Sequence, residues 1–103
     1  MAIVAVHQVP SLTEDRYEEV VRRLTNGKAR LESASDLPFE GLLVHAAAHS
    51  ENGFLIFDVF ESEEAFSRFS EAVRPIAHEV GNEDPPKAYP AHTFISSGDP
   101  PGD

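Results

Sequence analysis

Two periods of apolar residues alternate along the chain, and each marks an element. Residues 3–9 (IVAVHQV) are short and β-branched, and Pro10 closes them, which reads as a strand. Tyr17, Val20 or Val21, and Leu24 then recur at helical spacing, with Glu18, Glu19, Arg22 and Arg23 between them. Ser11 or Thr13 can cap that helix, Glu14 and Asp15 suit its positive end, and Asn26-Gly27 stops it. The pattern predicts a helix over residues 13–25. Residues 28–40 show no clear period; Leu31 suits a short extra turn and residues 33–38 read as loop.

The middle of the chain is the most legible part. Residues 54–60 (FLIFDVF) form a clear strand pattern, and Ser50-Glu51-Asn52-Gly53 before them is a turn signal. Residues 42–49 carry three alanines that favour helix, but the turn and the neighbouring strand make them the other arm of a hairpin. Ser62 caps a second helix, with Glu63 and Glu64 in its first turn. Ala65, Phe66, Phe69, Val73, Ile76 and Val80 share its apolar face. Pro75 is expected to kink or divide this helix, and Gly81 to end it. Residues 82–87 read as a polar loop, 91–96 (AHTFIS) as a last strand, and 98–103 (GDPPGD) as a disordered tail. The order βαββαβ predicts one α+β, ferredoxin-like domain with an antiparallel sheet over residues 1–97.

Alternation sorts the strand residues into two faces. One holds Val4, Val6, Val44, Leu55, Phe57 and Val59; the other holds Ile3, Ala5, Ile56 and Phe60 among several polar residues. A sheet with helices on one side only should be polar on the other, and neither face is. Two helices cover one face, so a second copy of the chain is expected to cover the other, making a homodimer packed sheet against sheet.

Four histidines and one aspartate fall on the second face: His7, His45, His49, Asp58 and His92. Convergent polar groups in an apolar pocket are the usual form of a small-ligand site. His45 and Asp58, on adjacent hairpin arms, are the best pair. Asp58 would orient the imidazole and leave its other nitrogen as a general base; the competing reading is a structural hydrogen bond. His7 and His92 are candidate ligand contacts, as is Tyr17 if its hydroxyl reaches the pocket. Of the phenylalanines, Phe60 or Phe66 could line it. His45 and His49 would make a metal pair on a helix, but on a strand they stand about 13 Å apart, too far for one ion. No metal site is therefore expected from that pair. His49 beside the turn reads as an exposed residue, and His78 as a favourable charge at a helix end.

The chain resembles the dimeric α+β barrel superfamily, and within it the antibiotic biosynthesis monooxygenase-like small proteins. The residues that carry the likeness are Gly41-Leu42-Leu43-Val44-His45, then Phe57-Asp58-Val59-Phe60-Glu61-Ser62-Glu63-Glu64-Ala65-Phe66, with Phe69, Pro75-Ile76 and Gly81 following. The likeness spans residues 2–96. It implies a homodimeric, cofactor-independent monooxygenase-like enzyme acting on a small aromatic or polyketide-like molecule. An isomerase or cyclase would use the same base without oxygen. The alternative is a non-catalytic ligand-binding or stress-related dimer, and a third reading is a metal or haem binder. The haem-degrading branch uses a tryptophan with an asparagine and a histidine, and this chain has no tryptophan.

Composition removes several classes. The net charge is −10, from 18 acidic and 8 basic residues, so nucleic acid and anionic membranes are not expected partners. The absence of cysteine rules out disulfides, thiolate metal sites and Cys nucleophiles, and fits a cytoplasmic location. No apolar run approaches the length of a membrane span and no signal peptide is visible, so the expected partners are a second copy and a small molecule.

Overall fold

The computed structural model describes residues 1–82 and 84–96. Its elements are β1 (Ile3–His7), α1 (Glu14–Thr25), a 3-10 turn (Ala34–Asp36), β2 (Leu42–Ser50), β3 (Gly53–Phe60), α2 (Glu63–Glu79) and β4 (Lys87–Pro90). The strands form one four-stranded sheet in the order β2-β3-β1-β4, with every neighbouring pair antiparallel. This is a small α+β architecture compatible with a ferredoxin-like fold. Among the described residues, no helix is long and apolar enough to cross a membrane. The tail expected over 98–103 lies outside the described residues.

Local chemistry sets both helix starts. The Thr13 hydroxyl accepts from the Arg16 amide at 3.2 Å, and the Ser62 hydroxyl from the Ala65 amide at 3.1 Å. Asn26 closes α1 in the left-handed conformation. α2 runs unbroken from Glu63 through Pro75 to Glu79, so Pro75 does not divide it.

Register decides which side chains share a face. Ile3, Ala5 and His7 lie opposite Phe60, Asp58 and Ile56, and His45 lies opposite Asp58. This is the face toward the helices. Its packed end is a core of Ile3, Ala5, Phe60 and Ala65, against which Phe39, Leu42, Phe66 and Phe69 pack. Phe60 is fully buried there, against the stacked rings of Phe66 and Phe69 at 5.4 and 4.9 Å.

Two strand features differ from the alternation pattern. Leu42 pairs with Phe60 and Val44 with Val59, so β2 carries one extra residue at Leu43. This bulge turns Leu42, not Leu43, toward the helices, and leaves Leu43 48% exposed. The last strand is Lys87–Pro90 rather than residues 91–96. Pro90 already pairs with Ile3, the first residue of β1, and the Ala91 amide donates to the Ala2 carbonyl at 2.8 Å. Residues beyond 91 have run past the end of β1, so their β-prone composition finds no ladder. Pro90 is tolerated because β4 is an edge strand.

Gly41 brings the chain into β2 with φ +99, its carbonyl accepting from the Glu61 amide at 2.8 Å. A Cβ here would collide with the Cβ of Ala65, so the close approach of strand and helix requires glycine.

Candidate functional site

Between the helices and the sheet lies a cavity of about 660 Å³. Apolar side chains make most of its wall, including Leu12, Val20 and Val21 from the α1 side, Phe66 and Phe69 from α2, and Ile56 from β3. Leu31, Leu37 and Phe39 close it from the segment between α1 and β2. Asp36 folds that segment: its carboxylate accepts from the Glu32 and Ser33 amides and pairs with Lys28 at 3.0 Å. These contacts hold the Asp36 carboxyl below the usual carboxylate range, the Glu32 amide first and then Lys28.

Three polar residues of the wall form a continuous hydrogen-bonded chain. Asp58, only 4% exposed, lies directly across the hairpin from His45. Its Oδ1 is 2.6 Å from His45 Nδ1, and His45 Nε2 is 2.6 Å from the Tyr17 hydroxyl. A carboxylate only accepts, which places a hydrogen on Nδ1 and leaves Nε2 to accept from the phenol in the neutral ring. Tyr17 stands in the first turn of α1, just after the Thr13 cap, and reaches down to His45 on the sheet. The ring lies nearly parallel to His45, at 10°, and leans on Phe54 at 5.1 Å.

Burial, followed by the charges of Asp58 and Glu18, pushes the Tyr17 phenol up to about 12. Tyr17 therefore stays protonated at neutral pH. It can hand its proton to His45 Nε2 only while taking another from a bound molecule. The arrangement is a relay: phenol outermost, imidazole behind it, buried carboxylate last. Asp58 is placed to steady an imidazolium, should His45 take up a proton.

His7 forms a second polar point on the same wall. Its Nε2 is 2.7 Å from the Asp84 carbonyl, which can only accept, so Nε2 donates. Burial lowers the His7 pKa from its ordinary value, partly offset by the Asp84 carbonyl bond and by the charges of Asp84 and Asp58. Burial thus favours the neutral ring.

Of the residues singled out from the sequence, His7, Tyr17, His45, Asp58 and Phe66 line one cavity. Two do not. Phe60 belongs to the packed core rather than the cavity wall. His92 follows β4 instead of sitting within a strand; it is exposed, with its Nδ1 2.9 Å from the neighbouring Thr93 hydroxyl. His45 is also differently engaged from the expected base: Tyr17 already occupies its second nitrogen. His49 is exposed and pairs with Glu14 at 2.8 Å. Among the described residues, no three His, Asp or Glu side chains form a group that could hold a metal ion.

Sequence reasoning missed the residues that brace the site. Arg16 donates to the carbonyls of Ser11 and Gly81 at 2.8 and 3.0 Å, tying the approach to α1 to the end of α2. Ser11 in turn donates to the carboxylate of Asp84 at 3.0 Å and lies 3.3 Å from the Asn82 side-chain oxygen. For Asn82 and Asp84 the only sequence signal is a polar loop with prolines, which does not say what it faces. Set beside known protein families, curated proteins and solved structures, the chain finds no match in any of the three.

Proposed function

We propose that this protein binds a small, largely apolar molecule carrying an acidic hydroxyl, and that Tyr17, His45 and Asp58 together remove its proton. The observation that carries this reading is the unbroken hydrogen-bonded chain from a buried carboxylate to a phenol on the wall of a 660 Å³ cavity. The ligand hydroxyl donates to the Tyr17 oxygen as the Tyr17 proton passes to His45. The ligand becomes an anion, Tyr17 stays neutral, and the charge pair rests on His45 and Asp58. With a phenol as ligand, the electron-rich anion reacts with oxygen without a cofactor. A ring C–H becomes a second carbonyl, one oxygen atom enters the quinone, and the other leaves as water. This follows the monooxygenase-like resemblance of the sequence. We further propose that the protein works as a homodimer, its second sheet face covered by another copy.

The test is oxygen uptake with a panel of phenols. Tyr17→Phe and His45→Ala should each lower turnover by about 10²-fold or more, the usual scale of lost acid–base catalysis. Equal turnover in wild type and both variants would remove the relay from the mechanism.

The engaged His45 nitrogen favours a second reading. A base already holding a phenol proton suits a binding protein, in which the same chain orients a bound hydroxyl without transferring its proton. Binding of phenols that survives with no oxygen uptake and no rearranged product would favour that reading.

A further inference from the structure

We infer that His7 is a specificity-determining residue: it selects a ligand bearing a second hydroxyl, beyond the one that meets Tyr17. The inference rests on the reading of the cavity given above and adds a second contact to it. His7 extends from β1 on the face that carries Asp58, since Ala5 is the residue opposite Asp58 and His7 follows two positions on. Both lie on the wall of the same cavity as Tyr17.

The ring is held in one hydrogen-bonding state. Its Nε2 donates to the Asp84 carbonyl at 2.7 Å, and this partner cannot reverse its role. The Asp84 carboxylate is itself held by Ser11 at 3.0 Å, and the Ser11 carbonyl by Arg16 at 2.8 Å, so the loop that fixes the imidazole is braced on both sides. Burial favours the neutral ring, and in that form the Nε2–H bond to the Asp84 carbonyl sets the tautomer. Nδ1 is left with a lone pair and no hydrogen. It can accept from a ligand and has nothing to donate.

Tyr17 and His7 ask a ligand for the same thing, a hydrogen-bond donor. Tyr17 already donates its hydrogen bond to His45, so its oxygen is left to accept from the ligand. The His7 Nδ1 accepts too. Two acceptors on a mostly apolar wall match a ligand with two hydroxyl donors on one rigid, flat frame. A carbonyl or ether in place of the second hydroxyl would set two lone pairs against each other, and an acceptor left unmet in an apolar site weakens binding.

Fluorescence titration with the dihydroxynaphthalene isomers and the two parent naphthols tests this directly. At least one diol should bind the wild type about tenfold more tightly than its parent naphthol, the worth of one added hydrogen bond. That margin should vanish in His7→Phe and return in part in His7→Asn, whose side-chain carbonyl restores an acceptor. Tyr17→Phe should weaken diol and naphthol alike. A diol margin that persists in both His7 variants would overturn the role of His7, as would the lack of any margin in the wild type. If no naphthol binds the wild type, or Tyr17→Phe changes nothing, the reading of the cavity fails instead and takes this inference with it.

Discussion

Tyr17 holds its proton more tightly than a free phenol, and this has a consequence for stability. Burial raises its pKa from 10.0 to about 12, with the charges of Asp58 and Glu18 adding to the effect. In the unfolded chain the phenol ionises first, near pH 10, so protons leave the unfolded state while the folded state keeps its own. The contribution is fully present below about pH 10 and is lost as pH rises toward 12. The alkaline absorbance titration of the wild type should therefore contain a tyrosinate component near 12. It should be absent from Tyr17→Phe, whose denaturation midpoint should also depend less on pH between 10 and 12. A single tyrosinate transition, the same in both proteins, would contradict the buried relay. At this scale the pairing of His45 with Asp58 was legible in the sequence because a hairpin register fixes it. The bond from Tyr17 to His45 was not, because it depends on how α1 is seated on the sheet. Nor was the exclusion of Phe60, which shares the parity of Asp58 but lies under Phe66 and Phe69.

Among the elements, the junction of β2 with α2 carries the tightest geometry. Gly41 sits at φ +99 against Ala65 and Glu61, whereas Gly27 and Gly53 also have positive φ but nothing within 4 Å of an added Cβ. The three positions separate strain from collision. Gly27→Ala and Gly53→Ala should each cost about 1 kcal/mol through backbone strain alone. Gly41→Ala adds a clash with a fully buried alanine and should cost about 2–4 kcal/mol, read as the shift in urea midpoint at constant slope. Similar losses at all three sites would mean that the approach of β2 to α2 is looser than described. The helix starts were legible because Thr13 and Ser62 act within one turn of chain. The bulge at Leu43 and the place of β4 were not, because both are set by partners far away in sequence. Local propensity favoured residues 91–96 as a strand, but pairing with β1 was complete by Pro90.

For the whole molecule, the open question is what meets the sheet face turned away from the helices. Two cross-strand rows lie on it: Ala46, Phe57, Val6 and Lys87, and beside them Val44, Val59, Val4 and Tyr89. All but Lys87 at the β4 edge are apolar or aromatic. Phe57 is 39% exposed and Tyr89 54%, so the described residues leave both rings partly in water. A solvated face of an antiparallel sheet alternates to polar residues, and this one does not. A second copy of the same face is the simplest complement, since a two-fold contact sets the like patch against itself. The net charge of −10 opposes association of two copies, so the contact must rest on apolar burial and should strengthen with added salt. Light scattering should give roughly twice 11.3 kDa, with dissociation easier at low ionic strength. Phe57→Glu places a charge at the centre of the face and should return the mass to that of one chain while leaving the far-ultraviolet spectrum unchanged. Phe57 faces away from the relay, so phenol binding in the Phe57→Glu monomer would show that the cavity is complete within one chain. A wild type that stays at 11.3 kDa at high salt would leave the apolar face without the proposed partner.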